Sequence, residues 1–327
     1  MAIPYSQRNK HYLLMKILIT GAAGYIGSHV AERLQSQGHD VVGLDNFSDY
    51  YDVSLKEMNA SVLKLKGIEI KKIDLRVSEQ LNLLPTDFDY IFHFGAQPGI
   101  SATSSFEDYL GNNVISTKNL LDFTLKNKNL KLFVNIATSS IYGIHATFDE
   151  SVSPTPVSYY GVTKLAAEQL ILASSRSGKI KACSLRLYSV YGPRERPEKL
   201  YAKLIANAFH NIPFPLYKGS ENHLRSFTYV QDIVDGIVSV IGKEDLVNNE
   251  IINLGTEVEN TTQQGIEIVE NILNKKIAID VVDARAGDQM RTKAVIDKAR
   301  RLLNYNPQTT LTEGLEEQVK WYQENFL

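Results

Sequence analysis

The chain has 327 residues, 43% hydrophobic and 22% charged, with a formal net charge of −2, which suits one large or two modest soluble domains. That near-neutral balance excludes the basic footprint of a nucleic-acid or membrane-surface binder and points to small-molecule partners. The single cysteine, Cys183, sits in an apolar run and excludes an intrachain disulfide scaffold.

Residues 1–10 lack the apolar core of a signal peptide, and no apolar run approaches the roughly 20 residues of a membrane span. A cytoplasmic location is expected, with the residues ahead of the first strand read as a short extension. Lys16 to Thr20 is a β-branched run that ends at Gly21, and Tyr25 to Leu34 has helical character. Between them Gly21, Gly24 and Gly27 are spaced GxxGxxG. Missing side chains at a strand-to-helix turn let the backbone approach a pyrophosphate at the positive helix end, and Tyr25 and Ile26 fall in the same turn.

Val41 to Asp45 reads as the second strand. Asp45 closes it at the spacing expected of a carboxylate that accepts from an adenosine ribose 2′-hydroxyl, which favours NAD over NADP, and Asn46 follows it. Ile68 to Asp74 reads as the third strand, with Asp74 and Leu75 placed to contact the adenine. Tyr90 to Phe94 is the fourth, and Phe94, Gly95 and Ala96 are expected beneath the ribose and diphosphate. A helix over 114 to 126, a strand from Leu132 to Ile136, a helix from Tyr160 to Ala173 and a strand from Ala182 to Leu187 follow. Strands alternating with helix-length sequence predict an α/β, Rossmann-type doubly wound parallel sheet.

Prolines at 193, 197, 213 and 215 mark loops in a smaller substrate-binding portion, Phe227 to Asp232 begins a further helix, and Glu250 to Gly255 reads as a strand returning to the main sheet. The expected division is 15–187 plus about 226–256 for the cofactor domain and about 188–225 plus 257–327 for a C-terminal substrate domain.

Tyr160 and Lys164 are four residues apart, on one face of a helix. A phenol of pKa about 10 is a poor base at neutral pH, and a nearby ammonium lowers that value. Tyr160 is therefore the candidate acid/base, and the hydroxyl run Thr138, Ser139, Ser140 upstream supplies hydrogen bonds. His93 reads as structure rather than as a catalyst. The histidines form no cluster with metal-ligand spacing, so no metal is expected.

From Lys16 onward the chain resembles the extended short-chain dehydrogenase/reductases, within them the nucleotide-sugar epimerases and dehydratases. Arg186 to Pro197, Arg225 to Asp232 and Gly287-Asp288 resemble the UDP-glucuronate 4-epimerase version. The resemblance implies NAD as cofactor and a UDP-sugar as substrate. Tyr160 would serve as acid/base and Lys164 would hold the cofactor ribose, while Thr138 would hydrogen-bond the reacting oxygen. Ser139, Ser140 and Ser189 would contact the sugar or its carboxylate, and Arg196 its anionic end; Arg225, Arg285 and Asp288 would hold the diphosphate and uridine ribose. It also implies a homodimer paired through the helices near 114–126 and 160–173.

Related dehydratases and decarboxylases carry acids where this chain has Ser139 and Ser140. Epimerisation needs none there. Two departures, Ser101 where glucuronate epimerases commonly have Arg and Val295 where the pattern has Asp, leave a neutral UDP-hexose open as substrate. A net oxidoreductase and a non-catalytic NAD-binding regulatory protein are the remaining alternatives.

Overall fold

The computed structural model describes residues 14–100, 103–284 and 290–327. Seven strands form the main sheet: β1 (Lys16–Thr20), β2 (Asp40–Asp45), β3 (Glu69–Lys72), β4 (Tyr90–His93), β5 (Leu132–Thr138), β6 (Ala182–Leu187) and β7 (Ile251–Leu254). Their spatial order is 3-2-1-4-5-6-7 and every pairing is parallel. This is the expected Rossmann-type sheet. The chain reverses direction between β1 and β4, and in such sheets a ligand binds at the carboxyl ends beside that switch.

β5 and β6 are buried at every residue, as central parallel strands covered on both faces must be. On one face Ile17, Val30, Leu34, Phe92 and Val134 pack together with Ile233 and Leu254; on the other Leu18, Ile91, Phe133, Leu120 and Ile171 form a separate core. A third apolar cluster, built from Tyr191, Tyr201, Leu204, Phe214, Phe227, Ile266 and Leu315, lies under the segments outside the sheet.

The helices that bear on the site are α1 (Tyr25–Ser36), α2 (Val53–Leu65), α3 (Phe106–Tyr109), α4 (Ser116–Thr124), α5 (Tyr159–Arg176), α6 (Leu200–His210) and α7 (Val230–Val238). Three local differences from the sequence reading have physical causes. The helix expected from 114 begins eight residues earlier, because Ser105 and Asp108 form a reciprocal capping box ahead of Phe106. It then runs through a π turn at Leu110–Ile115 into α4. Thr228 and Tyr229, expected to open a helix, instead pair as a short strand with Val190 and Tyr191, and α7 starts only at Val230. Pro215, expected in a loop, lies in the strand Phe214–Tyr217, which pairs with Ile279–Val282 in a sheet of only two strands, where a missing N–H is tolerated.

Candidate active site

One cavity of about 530 Å³ runs along the carboxyl ends of β1, β2, β4, β5 and β6 and continues over the start of α6. Gly21, Gly24, Tyr25, Ile26, Gly27, Asp45, Asn46, Asp74, Leu75, Phe94, Gly95 and Ala96 line it, as do Thr138, Ser139, Ser140, Tyr160, Lys164, Ser189, Arg196 and Arg225. Arg285 and Asp288 lie outside the described residues. Twenty residues singled out from sequence thus converge on one space.

At the β1 end the glycine turn is held by close backbone approach. Gly21 has φ +69°, and a methyl group added there would sit 2.9 Å from the Gly95 nitrogen. One added at Gly27 would lie 2.3 Å from the Gly21 carbonyl oxygen, so both positions require glycine. Gly24 caps α1 without a side-chain hydrogen bond, and the first turn carries no acid. The exposed amides of that turn suit a pyrophosphate.

Asp45 is buried at the end of β2, where its Oδ1 accepts from the Phe47 amide at 2.8 Å and its Oδ2 from the Ala23 amide at 3.2 Å. Sequence reasoning missed its neighbour Lys56, whose Nζ is 3.7 Å from Asp45 and donates to Ser48 Oγ at 3.0 Å. Burial lowers the lysine's pKa while Asp45 opposes the shift. A lysine one turn into α2 gives no sequence signal of its own, although the helix also buries Asn59 on the same side. Asp74, expected against the adenine, also receives hydrogen bonds from Arg76 at both carboxylate oxygens.

Tyr160 sits in the first turn of α5. Ser158 caps this helix by accepting from the Gly161 amide at 3.1 Å. Gly161 lets the turn close against the strand-end loop, since a methyl group there would meet the Ser140 carbonyl oxygen at 2.9 Å. Thr138 and the Gly99 backbone are near enough to the Tyr160 hydroxyl to favour its ionised form. Thr138 Oγ1 also accepts from the Ser140 amide at 3.1 Å.

Protein packs round the Tyr160 ring on every side but the cavity, and this desolvation raises its pKa; the forces acting downward come from Thr138, Arg196 and Gly99. Lys164, buried one turn further on, donates to the Ile136 carbonyl at 2.7 Å, and burial brings its own pKa down to about 8. Its ammonium is held at the end of β5.

Asn113, in the π turn, was also missed. Its Oδ1 accepts from the Gln97 amide at 2.7 Å and its Nδ2 donates to Thr163 Oγ1 at 2.9 Å, tying the loop after β4 to α5. His93 is buried and bonded on both nitrogens, to Thr20 Oγ1 at 2.8 Å and Thr117 Oγ1 at 2.9 Å, so it has no face toward the cavity chemistry.

Ser189 and Arg225 stand on the far wall. Ser189 Oγ is 3.5 Å from Thr292 Oγ1, and Arg225 ends a short strand paired with Asn260 and Thr292. Arg196 is paired with Glu198 at 2.6 Å and lies over the Tyr50 ring at 5.8 Å. Glu195 beside it is buried, accepts from Gln318 at 2.9 Å and has its pKa pushed up to about 7 by desolvation.

Residues 17–255 match the model of the NAD dependent epimerase/dehydratase family. The uncharacterized UDP-glucose epimerase YtcB of Bacillus subtilis is 35% identical over 312 residues, covering 94% of this chain and 98% of that one. UDP-glucuronate 4-epimerase 1 of Arabidopsis thaliana is 32% identical, covering 94% and 76%. The crystal structure of a Bacillus cereus UDP-glucuronic acid 4-epimerase with UDP-glucuronic acid and NAD superimposes with a TM-score of 0.89 at 32% identity, covering 95% of this chain and all of that one. With a glycine turn and a ribose carboxylate that fit the dinucleotide, the chain belongs to the NAD-dependent epimerase/dehydratase family, and NAD is its cofactor.

Proposed function

We propose that this NAD-dependent sugar-nucleotide epimerase inverts C4 of UDP-glucuronate to give UDP-galacturonate, working in the cytoplasm as a homodimer. The observation that carries the chemistry is that Tyr160 and Thr138 line one wall of a cavity whose strand-end loop continues with two serines in place of acids.

Bound NAD⁺ supplies a reversible hydride acceptor, so that C4 passes through a flat ketone. Tyr160, as the phenolate that the Lys164 ammonium and the positive nicotinamide would favour, takes the 4-hydroxyl proton as the ketone forms and returns it after the sugar has presented its other face. Thr138 holds the reacting oxygen in line with the phenol. Lys164, fixed on the Ile136 carbonyl, keeps a cation beneath the reacting region while its proton is retained. Ser139 and Ser140 offer hydrogen bonds without the acid that elimination of water requires. Arg196, on the cavity wall, suits an anionic group because its planar donors bind two oxygens together.

The dimer reading draws on an apolar strip beside the site. Phe106, Ile115, Tyr159 and Val162 are exposed, and Phe106 meets Tyr159 edge-on at 5.3 Å.

A second reading, a neutral UDP-hexose as substrate, is favoured by the Bacillus subtilis relative. Turnover of UDP-glucuronate, UDP-glucose and UDP-N-acetylglucosamine, followed by NMR of the C4 proton, separates the two. Formation of UDP-galacturonate without stoichiometric NADH is expected. Conversion confined to the neutral sugars would refute the glucuronate assignment.

A further inference from the structure

Lys199 has no role in the reading above. It lies just ahead of α6, an exposed residue whose side chain lines the cavity. A methyl group added at Gly99 would lie 3.9 Å from the Lys199 Nζ and 3.2 Å from Arg196 Nη2. The Gly99 backbone in turn lies beside the Tyr160 hydroxyl in the cavity wall. The two cations therefore stand one residue's breadth from the acid/base, at the hexose end of the cavity.

Charge balance singles out the ammonium. Arg196 is paired with Glu198. No carboxylate forms an ion pair with Lys199 among the described residues. The adjacent Glu198 is the carboxylate paired with Arg196, and Glu195, four residues before Lys199, is bonded by Gln318, with desolvation driving it toward its neutral form. Arg196 and Arg225 line the same cavity, so the ammonium meets like charge there at an electrostatic cost. An anion placed there by a ligand would relieve that cost.

We propose that the Lys199 ammonium, beside Arg196 at the hexose end of the cavity, pairs with the carboxylate of the substrate sugar and so selects UDP-uronates over neutral UDP-hexoses. This rests on the UDP-glucuronate reading and names a specificity-determining residue for it. The diphosphate and uridine are common to both substrate classes, so only a contact to the carboxylate can separate them.

The test measures dissociation constants of UDP-glucuronate and UDP-glucose by calorimetry on NAD-loaded protein, in a Tyr160→Phe background that prevents turnover. Lys199→Met, which keeps the stem and removes the charge, is expected to cut the preference for UDP-glucuronate about tenfold. Lys199→Arg should restore most of it. Equal weakening of both sugars by Lys199→Met, an unchanged ratio, or a parent that prefers UDP-glucose would overturn the proposal.

Turnover is read separately with Tyr160 in place. Lys199-dependent preference without formation of UDP-galacturonate would refute the epimerase reading and keep the contact. Epimerisation of UDP-glucuronate with a preference indifferent to Lys199 would do the reverse.

Discussion

Glu168 and Arg186 face each other in the interior, Arg186 Nη2 donating to Oε1 at 2.6 Å and Nε to Oε2 at 3.1 Å. Glu168 is one turn beyond Lys164 on α5, and Arg186 lies on β6. Ser184 donates to the same carboxylate at 2.9 Å, and the arginine donates to the Tyr142 hydroxyl at 2.8 Å. The pair fixes the helix that carries Tyr160 to the sheet that carries Thr138.

Removing one partner strands the other charge without water. Glu168→Leu is expected to destabilise the protein by about 3–5 kcal/mol. Glu168→Leu with Arg186→Met should recover much of that loss, because two apolar side chains need no counter-charge. The shift of the urea midpoint checks both, and a fully additive pair of losses would contradict the coupling.

Tyr160→Phe removes the proton carrier and leaves the ring. Turnover should fall by roughly 10²–10⁴-fold with NAD still bound, as read by cofactor released on denaturation. Thr138→Val deletes a single neutral hydrogen bond to the same oxygen and should cost only about 2- to 12-fold.

The buried histidines set an acid limit on stability. Desolvation lowers His93 to about 3 and His29 to about 4, from an ordinary value near 6.5. Between those values the unfolded chain binds protons that the folded one refuses, so stability falls as pH drops below 6.5. For His29 the loss approaches roughly 3 kcal/mol near pH 4. Melting temperature against pH should show this decline, and His29→Gln should flatten part of it.

The cofactor end gives a paired prediction. Gly27→Ala forces a methyl group into the Gly21 carbonyl and should abolish NAD retention on purification. Asp45→Asn leaves the turn intact but removes the charge that repels a 2′-phosphate, so the NAD-to-NADP affinity ratio should fall by roughly 10- to 100-fold. Fluorescence titration of both cofactors measures it.

The apolar strip beside α5 is expected to be an interface between two copies of the chain. Phe106→Glu combined with Val162→Glu should halve the mass seen by light scattering. A parent that already runs as a monomer would rule the dimer out.

What was legible in the sequence depended on range. The glycine turn, Asp45 and the Tyr160–Lys164 pair are encoded by spacing along one strand-helix unit, and a period of two or 3.6 reports such units directly. The start of α3 needed Ser105 and Asp108 to be read as a capping box, a short signal hidden among loop residues. Lys56, Asn113 and Lys199 gave no local sign. Two of them take their meaning from a partner far along the chain, Thr163 for Asn113 and Gly99 for Lys199, and only the folded backbone brings those together. The tie between Lys164 and the Ile136 carbonyl was hidden for the same reason.

The late return of residues 251–254 to the sheet has a consequence for the chain as a polymer. β7 hydrogen-bonds β6 along Ser184 to Leu187, a strand with no exposed side chain. A chain cut anywhere between Leu187 and Ile251 would leave that apolar edge bare, a template for pairing with other molecules. Fragments ending there should precipitate rather than bind nucleotide, and productive assembly must wait until three quarters of the chain has been made.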